Sequence, residues 1–506
     1  MDTMRRLTRI VALLGLGCVG AILVLLSTHG CESLRIMRGS DEFEHFKFLH
    51  RMYAGMLHLD PVLFFSSPGF VYGFGYFILS FLVTLPFLAT HNTLMIVLMP
   101  RLLSVFFAVL LLVVFYRILR IKHPPFFAFL ATSTVVTLPK FWVFGVWNHP
   151  DAMMFFFLML SFYFLLKQKA LGSSAMLAVS ISTKLQAIFY YPVIFLYFFK
   201  KEVSQREFGH FKTHVRNWIG SVCLMGVIGV VISPYLLHPM GRLGFIHQVQ
   251  NTLRENDTLS VCHSALEKLV RLSPDLFPAF LWAVIFPVVV YQAFLFFRKN
   301  DSITSLLSVT WVLNMIYLLF FVARLNAIYY FSSVLVAFLI VFFVLARFRH
   351  QKWPYFLLGA FILLQLGCHA SEYRELFQVQ AESAENQQIN HFVVASLKGQ
   401  VSSKTHLLIS LNLGFDYEAL GLDINNTLTI RGPLTQDMFQ RQAFEEKWHL
   451  VNQHRHVKRF FEKEFIVIKR KDRAISTAQL QQLYSGEWGY FLWKEGPDIL
   501  IFKKVL

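Results

Sequence analysis

Charge is scarce in this chain. Only 15% of its 506 residues are Asp, Glu, Lys or Arg, against about 25% in an average soluble domain. That shortage, with 56% hydrophobic residues and a mean hydropathy of +0.52, argues against a single soluble globule. Acidic residues are the scarcer sign, 30 against 47 Lys and Arg, so the net charge is +17. A basic excess of that size suggests nucleic acid in a soluble protein. Here the basic residues cluster at the ends of apolar runs, as cytoplasmic anchors do, and no nucleic-acid partner is expected. Cysteine is sparse, with five in all. A disulfide framework is not implied, although a Cys31–Cys262 bond would suit an oxidising compartment. No internal repeat, low-complexity tract or metal-ligand cluster of recognised spacing is present.

Apolar runs dominate what is there. They lie near residues 9–27, 69–89, 101–120, 125–146, 152–166, 172–199, 217–237, 277–297, 303–323, 327–346 and 354–370. A run of roughly 20 apolar residues crosses about 30 Å of hydrocarbon. The first run follows Arg5, Arg6 and Arg9, exceeds an ordinary signal-peptide core and lacks an A-x-A-like site, so an uncut first span is expected.

The basic anchors test the count. With Arg5, Arg6 and Arg9 cytoplasmic, the positive-inside tendency places Arg117, Arg120, Lys122, Lys167, Lys169, Lys200, Lys201, Arg298, Lys299, Arg347 and Lys352 there too. That parity holds if 69–89 stays at the outer face and 172–199 crosses twice, with a break at Lys184. Pro68, Gly69, Gly73, Gly75 and Pro86 weaken a straight helix over 69–89. The expected architecture is an α-helical polytopic membrane protein of about 11 transmembrane helices. Its membrane domain covers 1–370, with a juxtamembrane first outer loop at 27–100. The polar stretch 371–506 reads as a small extracytoplasmic α/β domain. It has strands near 405–412 and 464–469, a closing hairpin around Gly496-Pro497, one or two helices over 436–463, and a further helix from Ser476.

This topology gathers polar residues at one face: Asp41 and Glu42, Arg101, Asn148, His149 and Asp151, Lys184, and Arg324 shortly before Tyr329. Ionisable groups of both signs converging at a membrane boundary are a functional hypothesis. The chemistry they suit is transfer from a lipid phosphate. Cations steady a phosphate leaving group, and a carboxylate takes a proton from an acceptor hydroxyl. Each residue also has a plainer reading. Adjacent acids in a loop are commonly solvated, Asp151 suits a helix N-cap, and Lys184 and Arg101 suit snorkelling anchors.

The order of motifs resembles the GT-C class of polyprenyl-phosphate-sugar-dependent glycosyltransferases, nearest the protein O-mannosyltransferase and lipid A aminoarabinose transferase branch. Six features carry the likeness: Asp41-Glu42, the stretch from Ser67-Pro68 to Tyr72, Arg101-Leu102, His149-Pro150-Asp151, Thr183-Lys184, and Arg324 before Tyr329 and Tyr330. The family's Lys-Pro-Pro is Ser66-Ser67-Pro68 here, so a phosphate-contacting lysine is missing at that point. The resemblance implies a sugar moved, with inversion, from a polyprenyl-phosphate sugar donor to a lipid, glycan or protein acceptor. Asp41 is the expected base, supported by Glu42. Arg101, Lys184 and Arg324 are expected at the donor phosphate, and His149, Asp151 and Tyr329 at the substrate. No cofactor is implied, while Asp41, Glu42 and Asp151 leave room for a divalent metal. Membrane lipids surround the chain. The bacterial inner membrane, with the C-terminal domain in the periplasm, is the expected location; an endoplasmic-reticulum site would give the same topology and make Asn256 and Asn425 sequons relevant. Two alternatives stay open. A transporter or flippase would show paired halves, and a glycan ligase or polymerase would place its key residues in a late outer loop.

Overall fold

The computed structural model describes residues 2–28, 40–65, 73–204, 211–237, 264–273, 276–278, 280–298, 302–320, 327–348, 351–378, 381–405, 407–409, 420–422, 427–429, 464–470, 477–486, 490–496 and 498–505, with a few isolated positions between 239 and 246. Arg324, the 66–72 stretch, Cys31, Cys262, both sequon asparagines, Ser476 and the 436–463 segment lie outside the described residues. The rest is mostly helical.

Among the described residues, five helices are long and apolar enough to cross a bilayer. They are α5 (Thr93–Leu119), α11 (Phe211–Ile232), α13 (Phe280–Phe297), α14 (Ile303–Phe320) and the segment Ala327–Phe348, whose α-helical part is α15 (Ala327–Leu345). Shorter apolar helices accompany them: α4 (Phe74–Ala89), α8 (Asp151–Leu166), α9 (Ala170–Thr183), α16 (Trp353–Cys368) and the apolar end of α1 (Asp2–Thr28). At 1.5 Å per residue the 16 residues of α4 reach about 24 Å, short of a ~30 Å hydrocarbon core.

One expected span is not a single rod. Residues 125–146 divide into α6 (Pro125–Val136) and α7 (Pro139–Val146), bent by 75°. Pro139 is the cause. It lacks an N–H for the ladder and drives Leu138 into extended backbone, at φ −88° and ψ 121°. Trp142 Nε1–H then donates to the freed Val136 carbonyl at 2.8 Å.

The break expected within 172–199 falls at Lys184. That residue is extended, at φ −154° and ψ 124°, between α9 and a 3₁₀ turn (Leu185–Tyr190) that leads into α10 (Tyr191–Ser204). Small polar residues let the neighbouring helices close up. Ser161 Oγ donates to Ser173 O at 2.8 Å between α8 and α9, and Ser180 Oγ to Met154 O at 2.8 Å. Such residues permit near backbone approach where lipid offers no hydrogen bonds. Gly73 does the same for the start of α4. A Cβ there would stand 1.8 Å from Ser182 O, so only glycine allows α4 to begin against the end of α9.

Helix α2 (Ser40–Leu57), in the stretch expected to be juxtamembrane, buries His45, Phe46, Phe48, Leu49 and Met52. A loop exposed on all sides would not do so. It is followed by the short α3 (Pro61–Phe65).

Beyond the last apolar helix, five strands form one sheet of order β2-β1-β3-β5-β4. β1 (Leu407–Ile409) pairs parallel with β2 (Thr427–Thr429) and β3 (Phe465–Lys469). β5 (Ile499–Lys504) lies antiparallel between β3 and β4 (Tyr490–Glu495). β1, β3 and the β4–β5 hairpin fall where the alternating apolar runs place them; β2 was not expected. Helix α19 (Thr477–Tyr484) packs Leu483 beneath β4 and β5.

Candidate active site

The first turn of α2 carries Asp41 and Glu42. Glu42 is 1% exposed and meets Arg101 of α5, itself 3% exposed, in a two-pronged pair. Arg101 Nε donates to Oε1 at 2.7 Å and its Nη2 to Oε2 at 2.9 Å. A third guanidinium nitrogen, Nη1, donates to Ser27 O at 3.2 Å, closing the C-terminal end of α1. The planar fork of arginine matches a carboxylate in this way, and lysine would not. Arg101 therefore steadies Glu42. Expected at the donor phosphate, the Arg101 guanidinium here holds Glu42 and the Ser27 carbonyl.

Asn148, in the turn between α7 and α8, joins three elements. Its N–H donates to Glu42 Oε1 at 3.2 Å, and its carbonyl accepts from His45 Nδ1 at 2.7 Å. Its Oδ1 lies 3.0 Å from the Tyr76 hydroxyl of α4. That hydroxyl is also 3.1 Å from Pro100 O and 3.0 Å from Ser104 Oγ. The Pro100 carbonyl, one residue before Arg101, is thus tied to the same junction.

Asp151 opens α8. Pro150, not Asp151, occupies the N-cap position, and no side chain caps the helix. The capping role considered for Asp151 is thereby replaced by ion pairing. Its Oδ1 accepts from Lys184 Nζ at 2.6 Å, while Oδ2 meets His149 Nδ1. All three residues are buried. Lys184 Nζ stands 5.5 Å from the centre of the Tyr329 ring, within cation–π range. Gln186 Nε2 donates to Tyr329 O at 2.7 Å and fixes the 3₁₀ turn against α15. His149 stacks on Trp147 at 4.8 Å and lies 5.3 Å from the His45 ring.

The fold thus brings together Glu42, Arg101, His149, Asp151, Lys184 and Tyr329. Asp41 sits in the same turn as Glu42. Arg324 lies outside the described residues. Sequence reading passed over His45, Tyr76 and Trp147 and gave Asn148 no role. His45 had one signal, its place three residues after Glu42 on one helix face. Asn148 acts largely through its backbone, which no residue type announces.

Among the described residues no three His, Cys, Asp or Glu side chains converge to hold a metal ion. Glu42 and Asp151 are turned to different cations, so a divalent ion shared between them would have to displace both.

No family model matches the sequence, and no curated protein matches it. Solved structures do. ArnT from Cupriavidus metallidurans bound to undecaprenyl phosphate aligns with a TM-score of 0.57 at 13% identity, over 96% of this chain and 98% of ArnT. The same protein in the apo state aligns with a TM-score of 0.54 at 12% identity, over 97% of both chains. At such identities the likeness is one of fold, and it runs end to end: this chain has the GT-C membrane fold of ArnT.

Proposed function

We propose that this protein is a membrane glycosyltransferase that moves a sugar from a polyprenyl-phosphate donor to an acceptor hydroxyl on the extracytoplasmic face. The observation that carries the reading is the junction at Asn148. One turn ties the Glu42–Arg101 pair to the Asp151–Lys184 pair and to the helix that bears Asp41. The undecaprenyl phosphate bound by a protein of the same fold supports a polyprenyl-phosphate donor.

The chemistry follows from the residue types. The Asp41 carboxylate takes the proton of the acceptor hydroxyl. The hydroxyl oxygen forms a bond to the anomeric carbon as that carbon's bond to phosphate oxygen breaks, with inversion. The electron pair leaves with polyprenyl phosphate, a good leaving group that needs no protonating acid. Lys184 offsets the charge growing on the phosphate, and Arg324 is placed by sequence to share that task. Glu42 and Arg101 hold the first turn of α2, and with it Asp41, at the reaction point. His149, Asp151 and Tyr329 line the sugar side.

In the accompanying topology α4 lies at the outer face. Eleven helices cross, the N-terminus is cytoplasmic, and the 371–506 domain faces the periplasm of a bacterial inner membrane. Incubating membranes with and without the protein against a panel of radiolabelled polyprenyl-phosphate sugars tests the reaction. Label should leave the lipid only where the protein is present. Retention of label on every donor would overturn the reading.

A further inference from the structure

Lys268 is a buried charged residue outside the site described above. It lies on α12 (Ala265–Arg271), a short helix between α11 and α13. Ser264 caps that helix, its Oγ accepting from Glu267 N at 3.1 Å, and Leu272 just beyond it is buried. Lys268 Nζ donates to Leu319 O, in the last turn of α14, at 2.7 Å. The last carbonyls of a helix have no partner within it, and a cation there also meets the negative end of the helix dipole. The same turn has two further ties. Tyr330 of α15 donates its hydroxyl to Leu318 O at 2.8 Å. Tyr317 stacks on Phe189, in the 3₁₀ turn that follows Lys184, at 4.0 Å.

Resting on the transferase reading, we propose that Lys268 is a positioning residue for the donor-phosphate site. By holding the last turn of α14 it sets where Lys184 and Tyr329 stand. Lys184 is the extended residue that opens the 3₁₀ turn. Gln186 of that turn donates to Tyr329 O at 2.7 Å, and the Tyr329 ring centre lies 5.5 Å from Lys184 Nζ. Phe189 of the turn rests on Tyr317, while Tyr330, next to Tyr329, is bonded to Leu318. Both elements that flank Lys184 therefore meet one turn of α14, and Lys268 anchors that turn from a third side. A 3₁₀ turn has poorer internal hydrogen bonds than an α-helix, so its placement relies on such outside contacts. The Asp151 bond at 2.6 Å restrains the tip of the Lys184 side chain, not the backbone that carries it. A shift of about 1 Å in that backbone takes the ammonium out of register with a phosphate.

The test measures binding of polyprenyl phosphate to the full-length protein in lipid nanodiscs, with the thermal midpoint recorded on each preparation. Lys268→Met keeps the aliphatic stem and removes the ammonium. It should weaken binding roughly threefold to thirtyfold, the range of couplings carried through packed networks. Tyr330→Phe, which removes one hydroxyl from the same helix end, should weaken binding in the same direction. The double variant should lose less than the product of the two, because both release one turn. In a Lys184→Ala background, where the positioned ammonium is gone, Lys268→Met should change affinity little. A lowered midpoint with parent-like affinity would make Lys268 merely structural and overturn the inference. An undiminished effect in the Lys184→Ala background would overturn it too. If Lys268→Met does not fold, Tyr330→Phe in the parent and Lys184→Ala backgrounds reads the same turn, with the same two results deciding. Failure of the parent protein to bind polyprenyl phosphate would instead overturn the transferase reading, and this inference with it.

Discussion

Glu42 and Arg101 are 59 residues apart in the chain and meet as a buried two-pronged pair. The pair joins α2 to α5, and through Ser27 to the end of α1. Arg101→Ala would leave Glu42 as a lone buried charge. Breaking such a pair costs about 3–5 kcal/mol. Thermal unfolding of the detergent-purified variant should therefore show a large drop in midpoint. Arg101→Lys should restore little, because an ammonium cannot fork. A variant as stable as the parent would mean the pair is not structural.

Lys184→Ala should behave differently. In the proposed reaction its ammonium faces the donor phosphate, and one charge-assisted contact is worth roughly 1.5–3 kcal/mol. Transfer titrated against donor should show a raised donor requirement that higher donor concentration meets. Unchanged donor dependence would return Lys184 to a purely structural ion pair with Asp151.

Gly73→Ala tests the junction of α4 with α9. The new methyl would stand 1.8 Å from Ser182 O, inside van der Waals contact with backbone that cannot rotate away. The two helices must then part, one residue before Thr183-Lys184. Yield of folded protein and transfer activity should fall together. Parent-like yield and activity would contradict the packing.

The membrane arrangement predicts labelling from one side. A cysteine placed near Leu480 should react with an impermeant reagent added to the outer face, and one near Lys122 should not. Equal reaction of both from that face would remove the shared surface on which the site depends.

Much of this arrangement was legible in the residues. Basic anchors and apolar runs marked the helices, and the extended residue at Lys184 interrupts its run where charge parity needs a break. The strands at 407–409 and 465–469 follow from their β-branched and apolar runs. Pro139 was a readable signal, yet the apolar run around it hid the 75° bend. The pairing itself was not legible. Glu42, Arg101, Asp151 and Lys184 were singled out as separate groups. Which acid holds which base depends on how α2, α5, α8 and the α9 break converge in space. Asn148 was hidden for another reason: two of its three contacts use backbone atoms that every residue type has.

The central claim is that a carboxylate in the first turn of α2 takes the acceptor proton. Asp41→Asn keeps the shape and removes the basicity. The decisive measurement is the rate of sugar transfer by this variant, with donor binding recorded on the same preparation. The account predicts a loss of about 10²–10⁴ in rate with donor binding retained, and a milder loss for Glu42→Gln. Transfer at the parent rate by Asp41→Asn would contradict it. A greater loss at Glu42 in still-folded protein would assign the base to Glu42 instead.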